Sequence, residues 1–303
     1  KENKLREKDV TLIAVGGYGR AELFPQSDID ILILVETYWD ANIRKNIESF
    51  IADIWHLKTS IGHSVRTVED CITVINDDVT VYTNILDSRF IIGNQSLYDN
   101  LLSKIKVKNI WSKRKFLITK KEEQKNRYKK YLNTGYLLEP NIKEGPGGFR
   151  DLQTIMWVAK RNFKTNSLSD LYNIDIITKK EYLALLRSER FLSKARFLLH
   201  CLHNKPEERL YFSNQKKLAE LFGFDCKTNT GVEKFMQNFY KHIFNIKQLN
   251  EILIKHIENT IDESAISENK IINKDFYIKN NTISVKSKNV FIDNPSKIFE
   301  IFL

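Results

Sequence analysis

Two aspartates interrupt the most apolar stretch of the chain. In VGGYGRAELFPQSDIDILIL, residues 15–34, Asp28 and Asp30 lead into the run Ile31-Leu32-Ile33-Leu34. Residues i and i+2 of a strand project to the same side, so the pair presents two carboxylates on one face and turns Ile29 and Ile31 to the other. Two unpaired carboxylates that close repel each other and are costly to bury, and a divalent cation is the common remedy. Mg²⁺ suits an open two-Asp strand end because it completes its shell with water and phosphate oxygens; Mn²⁺ is the alternative. Metals bridged by such carboxylates can activate an attacking oxygen and stabilise a leaving pyrophosphate.

Gly16, Gly17 and Gly19 lie just upstream. Without Cβ atoms they let backbone N–H groups approach phosphate oxygens, and Arg20 adds a charge-assisted donor to the same oxygens. The spacing matches neither G-x-G-x-x-G before a long helix nor G-x-x-x-x-G-K-[ST], which disfavours a Rossmann or P-loop site.

The elements that position these residues follow from the apolar pattern. VTLIAVG (10–16) and IDILILV (29–35) are short, β-branched and bounded by Gly, Pro and Ser, as buried strands are. Ile43, Ile47, Phe50, Ile51 and Ile54 recur at helical spacing within 42–57, and 61–67 reads as a third strand. From about residue 100 long helical periods take over, in stripes such as Leu152, Ile155, Met156, Ala159, Phe163 and Val232, Phe235, Met236, Phe239, Ile246. The predicted fold class is α+β: a small mixed-sheet domain followed by a helical bundle. FYIKNNTISV (276–285) reads as a β-hairpin around Asn280-Asn281, and PSKIFEIFL begins an amphipathic helix.

Composition narrows the class. Lys and Arg exceed Asp and Glu by 48 − 38 = 10, which suits anionic ligands or an acidic partner. Cys71, Cys201 and Cys226 lie far apart, which speaks against a disulfide framework or a Cys-rich zinc site and fits a reducing cytoplasm. No apolar run reaches the length of a membrane span, so no membrane partner is expected.

GGYGRAELFPQSDIDILIL resembles the opening of the nucleotidyltransferase domain of the bifunctional uridylyltransferase/uridylyl-removing enzymes that modify the PII nitrogen-signalling protein. IGHSVRTVEDC (61–71), PNIKEGPGGFRDLQ (140–153) and GVEKFMQNFY (231–240) resemble stretches of the same family in the same order, so the likeness covers nearly the whole chain. It implies a polymerase β-like nucleotidyltransferase fold, with Gly16-Gly17 as the turn, Ser27 beside it, and Asp28 and Asp30 as the catalytic, metal-holding pair. It also implies transfer of UMP from UTP to a tyrosine of a PII-type protein. The expected domains are a nucleotidyltransferase domain over 1–100, a helical bundle over 101–265, and the hairpin with the start of a C-terminal segment over 266–303. Full-length members add a metal-dependent HD hydrolase domain and ACT-type sensory domains; this chain has no His-Asp dipeptide, so both are expected to be absent from it.

Several residues stay open. The Gly-rich turn before the helix at 149 offers N–H groups to an anion, with Lys143 and Arg150 as reinforcement. Two readings follow: nucleotide contact from Lys143, Gly147, Gly148 and Arg150, or a turn that docks one domain on the other. Asp151, in the first turn, complements the helix dipole or serves a purely structural pair. Many polymerase β-like enzymes carry a third carboxylate on the next strand, but IGHSVRT has none. Of Asp70, Asp77, Asp78 and Asp87, the favoured candidate is Asp87, in a segment able to return to the sheet. His63 is a candidate nucleotide contact, and His200, Cys201 and His203 read as partly buried helix residues rather than a zinc site. Twelve Lys and Arg between 104 and 130 form a basic helix, either a solvated face or a docking surface for an acidic loop or RNA. The rival functions are an adenylyltransferase of the glutamine synthetase type, a nucleic-acid nucleotidyltransferase, and a catalytically silent nucleotide-binding module; nucleic acid is not the expected partner.

Overall fold

The computed structural model describes residues 10–36, 41–56, 60–108, 110–131, 137–262, 270–279, 282–287 and 289–301. The chain divides into two compact units, residues 1–251 and 252–303.

The first unit opens with β1 (Val10–Ala14), the short turn α1 (Gly16–Gly19) and β2 (Ile29–Val35), then α2 (Ala41–His56) and β3 (Ile61–Thr67). Three elements follow: α3 (Val68–Asp77), α4 (Val79–Leu86) and β4 (Arg89–Gly93). The four strands form one mixed sheet in the order β3-β2-β1-β4, antiparallel except for β2 and β3, which run parallel and are joined by α2 as a parallel pair requires. The sequence reading places β2 and β3 at these bounds. It overextends β1, because Gly16 turns into α1 at φ +58° instead of continuing the strand.

Burial explains why β2 lacks the usual in-out alternation. Ile33 and Val35 pack with Ile47, Ile43, Phe50 and Ile51 of α2 on one face. Leu32 and Leu34 are buried on the other, and α5 (Gln95–Lys108) packs against both β2 and β1. A strand covered on both faces reads as a continuous apolar run. Against that background, Asp28 and Asp30 at its start stand out.

The remainder of this unit is helical: α6 (Lys113–Lys129), α7 (Phe149–Phe163), α8 (Leu168–Asn173), α9 (Lys179–His203), α10 (Phe212–Leu221) and α11 (Asn229–Asp262), the last running on past residue 251. The expected stripes are core: Ile155, Ala159, Leu185, Leu192, Ala195, Leu199, Phe235, Phe239 and Ile246 are fully buried. Helix starts follow local chemistry, with capping boxes at Thr67/Asp70, Ser167/Asp170 and Thr178/Glu181. Among the described residues no helix is long and apolar enough to cross a membrane.

In the second unit β5 (Lys270–Ile271), β6 (Phe276–Lys279) and β7 (Thr282–Val285) form an antiparallel sheet, followed by α12 (Val290–Asp293) and α13 (Lys297–Glu300). The register Lys279↔Thr282 closes the predicted hairpin, whose Asn280-Asn281 turn lies outside the described residues.

Candidate active site

The Asp30 carboxylate lies in a slot walled by glycine. On β3 its register partner is Gly62, where a Cβ would collide with Asp30 Oδ1. On the other side, a Cβ on Gly16 would sit 3.0 Å from Asp30 Oδ2. Gly16 also holds φ +58°, a conformation that only glycine adopts without strain. Gly62 was missed by the sequence reading, although a glycine inside a strand is a known sign of close approach by another group.

The slot is electrostatically uncomfortable without a counter-charge. Burial first, and then the neighbouring Asp28 carboxylate, hold the Asp30 carboxyl above its ordinary value of 3.8, with Lys143 and Arg20 opposing. The donor set therefore fits a divalent cation, and it is open: two carboxylates on one strand end, with the rest of a shell left to water and ligand oxygens. Among the described residues, no group of three or more His, Cys, Asp or Glu side chains is arranged to hold a metal.

The pair opens into a cleft of about 590 Å³. Gly16, Gly17, Arg20, Ser27, Asp28 and Asp30 line it from the sheet side, and Lys143 and Arg150 from the 141–153 run. Ser27 also fixes the turn before β2, its Oγ accepting the Phe24 N–H at 3.0 Å. A third wall was not anticipated. The basic helix α6 turns Lys120, Gln124, Arg127 and Lys130 into the cleft, at spacings that share one helical face. Most of these cations already hold acid partners: Lys120 with Glu123 at 2.6 Å, Arg127 with Asp151 at 2.6 Å, Arg150 with Glu144 at 3.0 Å. Burial lowers the Lys120 and Lys143 ammonium groups below their ordinary range, with Glu123 and Glu208 respectively opposing. A polyanion entering the cleft would offset that cost.

A nucleotidyltransferase-domain family model matches residues 1–89, and the GlnD PII-uridylyltransferase family model matches residues 115–254. Similar curated proteins are the bifunctional uridylyltransferase/uridylyl-removing enzymes of Hydrogenovibrio crunogenus (41% identical over 301 residues), Pasteurella multocida (37% over 299) and Pseudomonas fluorescens (39% over 302). Nearly the whole chain is thus similar to one part of these uridylyltransferase/uridylyl-removing enzymes. Each alignment covers 98% of the chain and 33–35% of the relative, so the chain spans about a third of the length of the curated relatives it matches.

In this chain the favoured third acid, and two of the other acids weighed beside it, do something else. Asp87 does not line the cleft. It is buried at the end of α4, where Oδ2 accepts from Arg20 Nη1 at 2.7 Å and from Trp157 Nε1 at 2.6 Å, so it anchors Arg20 instead of supplying a third open carboxylate. Asp70 and Asp78 are helix caps, accepting from the Asp70-side Thr67 groups and from Thr80 N respectively.

Gly147 and Gly148 are also absent from the cleft wall. The N–H groups at the start of α7 are already used: Gly147 donates to Asp151 Oδ2 (2.6 Å), Gly148 to Gly145 O (2.9 Å), Phe149 to Ile142 O (3.0 Å) and Arg150 to Lys143 O (2.9 Å). Gly147, at φ +80°, brings its backbone against α11, and a Cβ there would collide with the Ile243 carbonyl oxygen. Within the run, Lys143 and Arg150 face the cleft, Gly147 packs the start of α7 on α11, and Gly148 packs against the carbonyls of its own turn. Gly147→Ala is accordingly expected to cost about 2–4 kcal/mol in denaturant unfolding through strain and overpacking. Gly17→Ala, whose new Cβ would lie an ordinary 3.6 Å from Glu22 O, should leave stability within about 0.5 kcal/mol.

The histidines stay apart from the cleft. His63 packs edge-on against Trp55 of α2, with ring centroids 5.8 Å apart. His200 is fully buried beside Phe24, with Nε2 3.5 Å from Glu208, and Cys201 is exposed.

Proposed function

We propose that this chain transfers UMP from UTP to a tyrosine hydroxyl of a PII-type signalling protein and releases pyrophosphate, using Mg²⁺. The observation that carries the reading is the Asp28–Asp30 pair, held in a glycine-walled slot that opens on a cation-lined cleft. The choice of UMP and of a PII-type acceptor leans on the matched family and on the names of the relatives.

Asp28 and Asp30 would hold the cation, which when bound neutralises phosphate charge and lowers the cost of deprotonating the acceptor hydroxyl. The chain's own groups bind and orient. Gly16 and Gly17 line the cleft at the start of α1, where the first N–H groups of a helix have no intrahelical acceptor and can meet phosphate oxygens. Arg20, Lys120, Lys143 and Arg150 bring positive charge to a phosphate chain and to the growing charge on its leaving end. In the step itself, the acceptor oxygen forms its bond to the α-phosphorus as the α–β bridging bond breaks. The hydroxyl proton departs, and the bridging oxygen leaves with pyrophosphate.

Of the α6 cations, Lys120 and Arg127 face the cleft while Lys113, Arg114, Lys115, Lys125 and Lys129 are exposed, so RNA along the outer face of this helix remains a rival to test. Incubation of the chain with each α-³²P-labelled nucleoside triphosphate, Mg²⁺ and a PII-type protein, RNA or glutamine synthetase separates the readings. Label should pass from UTP to the PII-type protein; preferential labelling of RNA, or of glutamine synthetase from ATP, would replace this reading with a rival.

A further inference from the structure

One indole gathers three cations from three separate elements. The guanidinium of Arg20, just after α1, lies 6.0 Å from the Trp157 ring centroid; Lys120 Nζ of α6 lies 4.6 Å away; and the guanidinium of Arg150, two turns earlier on α7, lies 5.6 Å away. The indole N–H is fixed by its bond to the buried Asp87 carboxylate, which also holds Arg20. Like charges brought this close repel each other. Here acid partners outside the ring and the negative face of the indole between them offset that repulsion. All four side chains line the cleft.

Resting on the reading of the cleft as a nucleoside triphosphate site, we infer that Trp157, held by Asp87, is the positioning residue of a preassembled subsite for the β- and γ-phosphates, the part of the nucleotide that leaves as pyrophosphate. A cluster assembled in advance binds a polyanion without the cost of ordering three long side chains at the moment of binding. The subsite discriminates by phosphate number. A triphosphate, or inorganic tripolyphosphate alone, spans it; a monophosphate held at the Asp28–Asp30 end does not reach it.

Calorimetric titration of the whole chain with inorganic tripolyphosphate, and separately with UMP, tests this without any transfer step. Tripolyphosphate should bind the wild-type chain, at least tenfold more weakly with Trp157→Leu and less than threefold more weakly with Trp157→Phe, which keeps the ring face; UMP affinity should be unchanged in both. Quenching of indole emission by tripolyphosphate should disappear in Trp157→Phe. Should Trp157→Leu fail to fold, Lys120→Met provides the same comparison. Equal loss of UMP and tripolyphosphate binding, wild-type affinity in the variants, or no tripolyphosphate binding to the wild-type chain would each overturn the inference. A wild-type chain that binds tripolyphosphate but labels no PII-type protein would overturn the proposed reaction and leave this subsite standing.

Discussion

Asp28→Asn and Asp30→Asn, singly or together, are expected to reduce nucleotidyl transfer by at least about 10³-fold without destabilising the fold. The first half follows from position. These two carboxylates lie at the start of β2 and line the cleft, and among the described residues no group of three or more His, Cys, Asp or Glu side chains is arranged to hold a metal in their stead. The second half follows from electrostatics. Asp30 is held above its ordinary value by burial and by Asp28, so in the cation-free chain its ionisation works against the folded state. The sign is as follows: a carboxyl raised in the folded state binds more protons there than in the unfolded chain. Its contribution to stability is present below the unfolded value and is lost as pH rises through the interval just above 3.8. Asp28→Asn removes the like charge and should lessen that loss. Melting temperatures across this interval, recorded beside the transfer rate, should show an inactive variant that melts no lower than wild type.

The second large effect lies away from the Asp pair. Asp151 is fully buried and accepts from Arg127 Nη2 and Gly147 N, each at 2.6 Å, from Gln124 Nε2 at 3.2 Å and from the Tyr128 hydroxyl. Burial first, and then Asp151, push the Tyr128 hydroxyl far above its ordinary range, so it remains a neutral donor at every working pH. The backbone of the same residue accepts from Asn250 Nδ2 at 3.0 Å. The carboxylate thus ties α6 and the Gly-rich turn to α7, and the backbone carbonyl of the same residue adds α11. Asp151→Ala would leave a buried guanidinium, an N–H and a hydroxyl without their acceptor, which costs about 3–5 kcal/mol for the charge alone. Against a typical total of about 5–15 kcal/mol this is enough to leave a substantial part of the chain unfolded near physiological temperature. Guanidinium unfolding should show it as a shifted midpoint; a loss under about 1 kcal/mol would mean that the network is far less coupled than its geometry implies.

The strands and the Asp pair were legible because they are local. IDILILV declares a buried strand, and Asp30 inside it with Asp28 just before it puts two acids on one face. The apolar stripes of α7, α9 and α11 were legible for the same reason, since 3.6-residue periodicity is written within each helix. What failed is what depends on residues distant in sequence. Asp87 stands 67 positions from Arg20 and 70 from Trp157, so nothing near it revealed that its charge was already taken. Gly147 and Gly148 look like an anion-binding turn until the carbonyls of Ile142, Lys143 and Gly145 are seen to occupy the N–H groups. Most lysines of α6 are solvent-facing, as a basic helix suggests, but Lys120 and Arg127 are not, because no sequence pattern says which side of such a helix meets a cleft. Only the inward spacing of Lys120, Gln124 and Arg127 hints at it.

The central claim is that Asp28 and Asp30 hold the divalent cation on which the proposed transfer depends. Mn²⁺ titration followed by electron paramagnetic resonance, with a non-hydrolysable UTP analogue present, tests that claim most directly. The wild-type chain should bind Mn²⁺ together with the nucleotide, and the Asp28→Asn/Asp30→Asn double variant, folded by circular dichroism, should lose that binding. Mn²⁺ held with undiminished affinity by the double variant would contradict the account.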